Sequence, residues 1–112
     1  MGDEPLMLIP LAGGEAVFVL GAEDDPDTVE NVDVEVTLAD GSRWSATMLS
    51  LPEIGRIMDR WAITGEGLAG RFFQCSDLVI VRERGVTAMT AVLDGLIESG
   101  ELRSTMAPLD PD

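Results

Sequence analysis

The sequence contains no histidine, no tyrosine and no lysine, and it has a single cysteine, Cys75. Without histidine, the chain cannot form a Ser-His or Cys-His nucleophile pair or a histidine-ligated metal site. A single cysteine excludes an internal disulfide and any metal site built from cysteines alone. These absences remove the commonest designs of hydrolytic and metal-dependent active site. They favour a function in binding over one in catalysis.

Long hydrophobic runs are also lacking, since no segment approaches the roughly 18 apolar residues that a membrane span needs. The first residues, Met1-Gly-Asp-Glu-Pro, lack the basic stretch of a secretion signal. We therefore expect a cytoplasmic protein with no membrane partner. All seven positive charges are arginines, and this preference, with abundant Ala, Gly, Val and Asp, indicates a bacterial source of high GC content.

The negative charge is large and unevenly distributed. The formal net charge is −14; residues 1–42 hold eleven acids and no arginine, whereas residues 43–112 hold ten acids and seven arginines. The first part therefore carries −11 and the rest −3. Such a field opposes binding to nucleic acid or to an anionic membrane. Two interpretations remain open: the charge only keeps the protein in solution, or it attracts a basic partner.

An acidic loop follows the first strongly apolar segment. Residues 22–31 read Ala-Glu-Asp-Asp-Pro-Asp-Thr-Val-Glu-Asn, but the calcium-loop spacing fails in both frames. Starting at Asp24 places Pro26 third, and starting at Asp25 places Val29 fifth. We predict a solvated loop without a specific metal site or a cofactor, and weak binding of divalent cations stays open as an alternative. We predict instead a protein-binding surface made of this loop and the outer face of the next strand: Glu23, Asp24, Asp25, Asp27, Asp33 and Glu35.

A β-hairpin at residues 32–48 organises the chain, and its register can be derived. A two-residue turn at Asp40-Gly41 would mix the apolar and polar faces of the two strands. A three-residue loop of residues 39–41, with Gly41 left-handed in a bulge, keeps them separate. That register pairs Val36 with Trp44, and it also pairs Val34 with Ala46 and Val32 with Met48.

Two amphipathic helices are predicted. Ser50 and Glu53 form a capping box at the start of the first, and its interior Gly55 is expected to allow close approach to a strand. Its apolar stripe comprises Leu51, Ile54, Met58 and Trp61. The second helix ends at Gly100. Its apolar stripe comprises Met89, Val92, Leu93, Leu96 and Ile97.

Further strands are predicted around these elements. Residues 6–11, interrupted by Pro10, suit a short edge strand, and the wholly apolar residues 16–20 suit a strand covered on both faces. Residues 71–74 and 78–82 read as two strands joined by a turn at Cys75, and residues 102–106 as a last edge strand. The predicted fold is a single α+β domain over residues 1–106, an antiparallel sheet of five or six strands with two helices packed on one face. Residues 107–112 are expected to form a disordered tail.

Two alternatives to a basic-partner binding protein stay open. One is a small-ligand domain or minor enzyme that uses the loop from Gly65 to Gly70 and the Cys75 turn. With no histidine, only Arg71 or Arg82 is available to lower the pKa of Cys75. The other is a structural subunit that forms a homodimer through an edge strand.

The run Gly70-Arg-Phe-Phe-Gln-Cys-Ser-Asp-Leu-Val-Ile-Val-Arg82, followed by the second helix, resembles small uncharacterised bacterial proteins of actinobacterial type. In size, acidity and hairpin-helix order, residues 15–105 are also similar to immunity proteins that neutralise bacterial toxins. This resemblance implies a non-enzymatic antagonist that lays an acidic surface over a basic protein. It identifies no individual site residue.

Overall fold

The structure is a computed structural model that describes residues 6–109 of the chain. Those residues form one six-stranded sheet and four helices, so the predicted α+β class with two long helices is confirmed. Residues 1–5, on which the expectation of no secretion signal was based, lie outside the described range. The elements are β1 (Leu6–Leu11), β2 (Gly14–Val19), β3 (Asn31–Leu38), β4 (Arg43–Ser50), α1 (Leu51–Thr64), α2 (Glu66–Gly70), β5 (Leu78–Val81), α3 (Val86–Ser99), α4 (Leu102–Thr105) and β6 (Ala107–Pro108).

The predicted hairpin register is confirmed in β3 and β4. Val36 lies opposite Trp44, and the pairing continues in step to Val32 opposite Met48. Gly41 has a φ of +88°, and the Leu38 N–H donates to the Ser42 carbonyl at 2.9 Å. This is the bulged loop, with glycine at the one position that needs a left-handed backbone.

The sheet has the order β1-β2-β3-β4-β5, with β6 also paired to β4. Every pair is antiparallel except β4 and β5, which run parallel. The prediction of a strand at residues 71–74 is wrong, because that segment is a loop in the structure. α1 starts directly after β4 and returns along the sheet, so the chain enters β5 in the same direction as β4. A parallel pair requires a crossover of this kind.

The main core lies between the sheet and α3. Met89 and Leu93 of α3 are fully buried against Phe18, Val34 and Met48, among others. The predicted second helix and its stripe are thus correct. Gly100, with a φ of +80°, ends the helix and donates its N–H to the Ile97 carbonyl.

The first long helix, α1, lies on the opposite face of the sheet. Met48 points into the main core, whereas its neighbour Leu49 is buried with Ile54 and Ile57 of α1 in a second cluster. Because successive strand residues point to opposite faces, the two long helices do not share one face as predicted. In the α1 stripe, Ile57 is buried, while the predicted member Leu51 is 55% exposed.

The C-terminal prediction also needs correction. Residues 102–105 form α4 rather than a strand, because Leu102 and Met106 are both buried at helical spacing. The segment that follows was expected to be a disordered tail, but Ala107–Pro108 pairs with β4 as β6, and the Leu109 N–H donates to the Arg43 carbonyl. Residues 110–112 lie outside the described range. Within residues 6–109, none of the helices combines the length and apolar character needed to cross a bilayer.

Candidate protein-binding surface

The predicted acidic loop of residues 22–31 ends at Glu30 in the structure, because β3 begins at Asn31. The acidic loop as observed, residues 21–30, is held in shape by its own carboxylates. The Gly21 N–H donates to Asp24 Oδ2 at 2.7 Å, and the Asp27 N–H donates to Asp25 Oδ1 at 2.9 Å. The Thr28 N–H also donates to the Asp25 carbonyl at 3.0 Å. Aspartates favour such turns because their short side chains reach nearby backbone donors. The loop therefore presents its charges from defined positions.

The loop is anchored to the start of α3. The Gly85 N–H donates to the Val29 carbonyl at 2.8 Å, and the Val86 N–H donates to the Pro26 carbonyl at 2.7 Å. Gly85 has a φ of +97°, and a β-carbon there would lie 2.7 Å from the Asp27 carbonyl oxygen. Its own Val29 is buried, so the loop is fixed to the core through its backbone and through this side chain. The side chains of Glu23, Asp24, Asp25 and Asp27 stay exposed.

The structure brings three of the six predicted acids together. Glu23, Asp24 and Asp25 line one shallow cavity, in company with Glu30 and Glu53. Asp27 belongs to the same loop but does not line this cavity, and Asp33 and Glu35 project from the outer face of β3. All six predicted side chains are exposed.

Glu30 and Glu53 were missed by the sequence analysis, although a signal was present. Extending the predicted hairpin register two residues beyond Val32 and Met48 places Glu30 opposite Ser50. The structure contains this juxtaposition, with the Ser50 N–H donating to the Glu30 carbonyl at 2.8 Å. Since Ser50 caps α1, the cap and the acidic loop are brought together by the hairpin itself.

A small polar network connects these residues. The buried Ser50 hydroxyl donates to Glu30 Oε1 at 2.7 Å and accepts the Glu53 N–H at 3.3 Å. Arg56 forms ion pairs with both Glu30 and Glu53. The hydrogen bond from Ser50, together with Arg56, holds the pKa of Glu30 below its ordinary value, so that it stays charged. Only half of the predicted capping box forms, because the Glu53 carboxylate accepts from Arg56 instead of the Ser50 N–H.

A cationic margin borders the acidic cavity. Arg82 and Arg84 line an adjoining cavity with Arg56, Glu30 and Glu83. Arg84 lies close enough to contribute to the lowered pKa of Glu30. The acidic cavity is therefore bounded by positive charge on this side.

The remaining predicted acids lie on what we call the open face, the outer side of β1–β3. Thr47 Oγ1 donates to Asp33 Oδ1 at 2.9 Å, and Arg43 pairs with Glu35 at 3.0 Å. Both members of the second pair are about half exposed, so the pair contributes little to stability and can exchange partners. Leu6, Leu8, Glu15, Val17 and Val19 share this face, as the strand registers require.

Cys75 and the loop from Gly65 to Gly70, on which the small-ligand or enzyme alternative was based, are both packed against neighbouring residues. Burial, followed by the nearby charges of Asp33 and Asp77, raises the pKa of the Cys75 thiol, which disfavours the nucleophilic thiolate. The loop from Gly65 to Gly70 forms the left-handed turn α2, with φ of 58° at Gly67 packed closely against the Trp61 ring. Among residues 6–109, no group of three or more potential ligand side chains is arranged to hold a metal ion.

Comparison of the chain with protein-family models, with curated proteins and with solved structures gives no match.

Proposed function

We propose that the chain is a non-enzymatic binding protein that recognises a basic protein partner through its acidic surface. We define the acidic surface as the six predicted residues together with the two found beside them: Glu23, Asp24, Asp25, Asp27, Glu30, Asp33, Glu35 and Glu53. The observation that carries the proposal is the fixed acidic loop, in which Glu23, Asp24, Asp25 and Asp27 are exposed, and Glu30 at its end lies beside Glu53 of α1. Charges held in place lose little freedom on binding, so they favour specific association.

An immunity-type antagonist is the form of this function that we favour. Such a protein needs only to cover the cationic surface of a toxin, and an exposed acidic surface on a small folded domain suits that task. We place the protein in a bacterial cytoplasm, where its single cysteine would remain reduced. Nucleic acids are not proposed as partners, because their phosphates would be repelled by a chain of formal net charge −14.

The proposal is tested with a short peptide of alternating arginine, glycine and serine, which carries positive charge without apolar side chains. One triple variant, Glu23→Gln, Asp25→Asn and Asp27→Asn, removes three charges from the acidic loop. The asparagine at position 25 retains a side-chain oxygen that can accept the backbone N–H of residue 27. A control triple variant, Asp59→Asn, Glu66→Gln and Glu98→Gln, removes three charges from helices elsewhere.

The two variants have the same formal net charge, so any difference between them depends on location. We expect the loop variant to weaken peptide binding about tenfold in a fluorescence anisotropy titration at low salt, since three exposed charge pairs contribute about 0.5 kcal/mol each. The control should weaken it less than about twofold. Equal losses in the two variants would mean that net charge alone attracts the peptide, and would contradict the proposal.

A further inference from the structure

The sequence of β2 is typical of a strand covered on both faces, but the structure covers only one. Ala16 and Phe18 are fully buried under α3, whereas Val17 and Val19 alternate with them on the open face and are partly exposed. An uninterrupted apolar run is characteristic of strands that are buried on both sides. Val17 and Val19, on the open face of β2, are therefore residues typical of an interior surface.

The neighbouring strand β1 extends this apolar surface. Leu6 lies opposite Val19 and Leu8 opposite Val17, so four aliphatic side chains form a patch two strands wide. Leu6 and Leu8 are 64% and 62% exposed. Large aliphatic side chains grouped on an exposed sheet face mark an interaction site more often than isolated ones do.

Carboxylates border the patch on its β3 side. Val19 lies opposite Asp33, and Val17 lies opposite Glu35. Two neighbouring rows across the sheet therefore run from an exposed leucine through a valine to an acid. A segment that fits these rows must be apolar along one side and cationic along the adjoining side.

The same face already holds one helix. α1 covers β4 and β5 through Leu49 and Leu78, whereas no element within residues 6–109 covers this face of β1–β3. Neighbouring strands are about 4.8 Å apart and a helix is about 10 Å wide, so one helix spans about two strands. The apolar patch on β1 and β2 has the width of a single helix, and β3 lies between it and the strands that α1 covers.

We propose that the open face of β1–β3 binds a basic amphipathic helix of the protein partner, an inference that rests on the proposed function. The apolar stripe of that helix covers Leu6, Leu8, Val17 and Val19, and its arginines or lysines reach Asp33 and Glu35. Charge selects this occupant over a second copy of the chain, because self-association would bring together two chains of formal net charge −14 and place Asp33 and Glu35 of both copies in the interface.

A helix fits better than a strand added to the edge of β1. The Ala39 N–H donates to the Gly13 carbonyl, so these two residues form a hydrogen-bonded pair, and such pairs alternate along β2 and β3 from that point. Carried across β2 to β1, the same alternation directs the backbone groups of Leu6, Leu8 and Pro10 to the free edge of the sheet. Pro10 has no N–H to offer. The edge therefore presents only two outward donors in β1, which is a short template for strand addition.

The experiment compares two peptides of identical composition, each of about 18 residues with leucines and arginines. In the amphipathic peptide the leucines recur at helical spacing on one side; in the scattered peptide they are distributed around the helix. We expect the amphipathic peptide to bind at least about tenfold more tightly. The double variant Leu6→Ser and Leu8→Ser should abolish that preference, whereas the control Leu51→Ser and Ile63→Ser, at exposed positions of α1, should retain it.

The outcomes separate this inference from the proposed function. If both peptides bind equally, or if the two double variants behave alike, the open-face site is overturned while binding of the arginine-glycine-serine peptide still supports the acidic surface. If none of the three peptides binds, both proposals fail. Sedimentation equilibrium gives a further check: a wild-type dimer that the Leu6→Ser and Leu8→Ser variant dissociates would identify a second copy as the occupant and overturn the inference.

Discussion

The hydroxyl of Ser50 donates a 2.7 Å hydrogen bond to the carboxylate of Glu30, and thereby joins the start of α1 to the end of the acidic loop. Ser50 is 1% exposed, so this bond lies at the boundary between the core and the candidate binding surface. The same hydroxyl accepts the Glu53 N–H. One buried side chain therefore caps a helix and fixes a surface charge.

This hydrogen bond predicts a dependence of stability on pH. The pKa of Glu30 is lowered from its ordinary value of 4.5, first by Ser50 and then by Arg56, so the charged carboxylate stabilises the fold above about pH 4.5. That contribution is lost as the pH falls through the lowered pKa of the folded state. We expect Glu30→Gln to have a lower thermal midpoint than wild type at neutral pH, with the difference shrinking in acid. A difference that stays constant down to about pH 3 would contradict this assignment.

Two glycines should respond oppositely to alanine. A β-carbon at Gly55 would meet nothing within 4 Å, so the expected close approach to a strand is wrong and Gly55→Ala should stabilise α1 by about 1 kcal/mol. At Gly70, with a φ of +81°, a β-carbon would collide with the Met58 carbonyl oxygen. Gly70→Ala should therefore destabilise the protein by at least about 2 kcal/mol. Urea unfolding measures both, and a shift of the same sign in the two variants would refute the backbone geometry of this region.

The position of α1 on the sheet can be tested through its side chains. Ile57 is 6% exposed in the second cluster, so Ile57→Ala should reduce the free energy of unfolding by about 2–5 kcal/mol. Leu51→Ala should reduce it by less than about 1 kcal/mol, because most of that side chain already contacts water. Denaturant titrations of the two variants provide the comparison. A larger loss at Leu51 would place the other side of the helix against the sheet.

The thiol of Cys75 should be a poor nucleophile. Burial and the charges of Asp33 and Asp77 raise its pKa, so alkylation at neutral pH should be slower than in the urea-unfolded chain. Asp33→Asn should accelerate the reaction only modestly, because burial is the larger cause. The pH dependence of the alkylation rate measures this directly. Rapid labelling of the folded protein would restore the alternative of a reactive cysteine.

Local patterns predicted the fold where neighbouring residues determine it. The bulged hairpin follows from the alternation around Gly41, and the α3 stripe follows from helical spacing up to Gly100. The face occupied by α1 does not follow from its own stripe, since either side of a sheet can accept an apolar helix. A signal was present in β4, where Met48 and Leu49 are consecutive apolar residues and both are buried. Such a pair indicates that both faces of that strand are covered.

The candidate surface was predicted only as far as charge density reveals it. The acidic run from Glu23 to Asp27 is visible in the sequence, and its exposure follows from its polarity. Glu30 and Glu53 are 23 positions apart, and only the hairpin register together with the Ser50 cap brings them together. The open face could not be recognised from the apolar run of β2, because that run predicted a covered strand.

Binding of a basic peptide at the acidic surface can be observed residue by residue in an NMR titration of the folded protein with the arginine-glycine-serine peptide, followed through backbone amide shifts. We predict that the largest shifts fall on residues 21–30, on the neighbouring amides of Asp33 and Glu35, and on the first turn of α1. These shifts should be lost in the loop triple variant and retained in the control triple variant. Shifts distributed evenly over all acidic residues, or centred on Asp59 and Glu98, would show that the acidic surface is not the binding site.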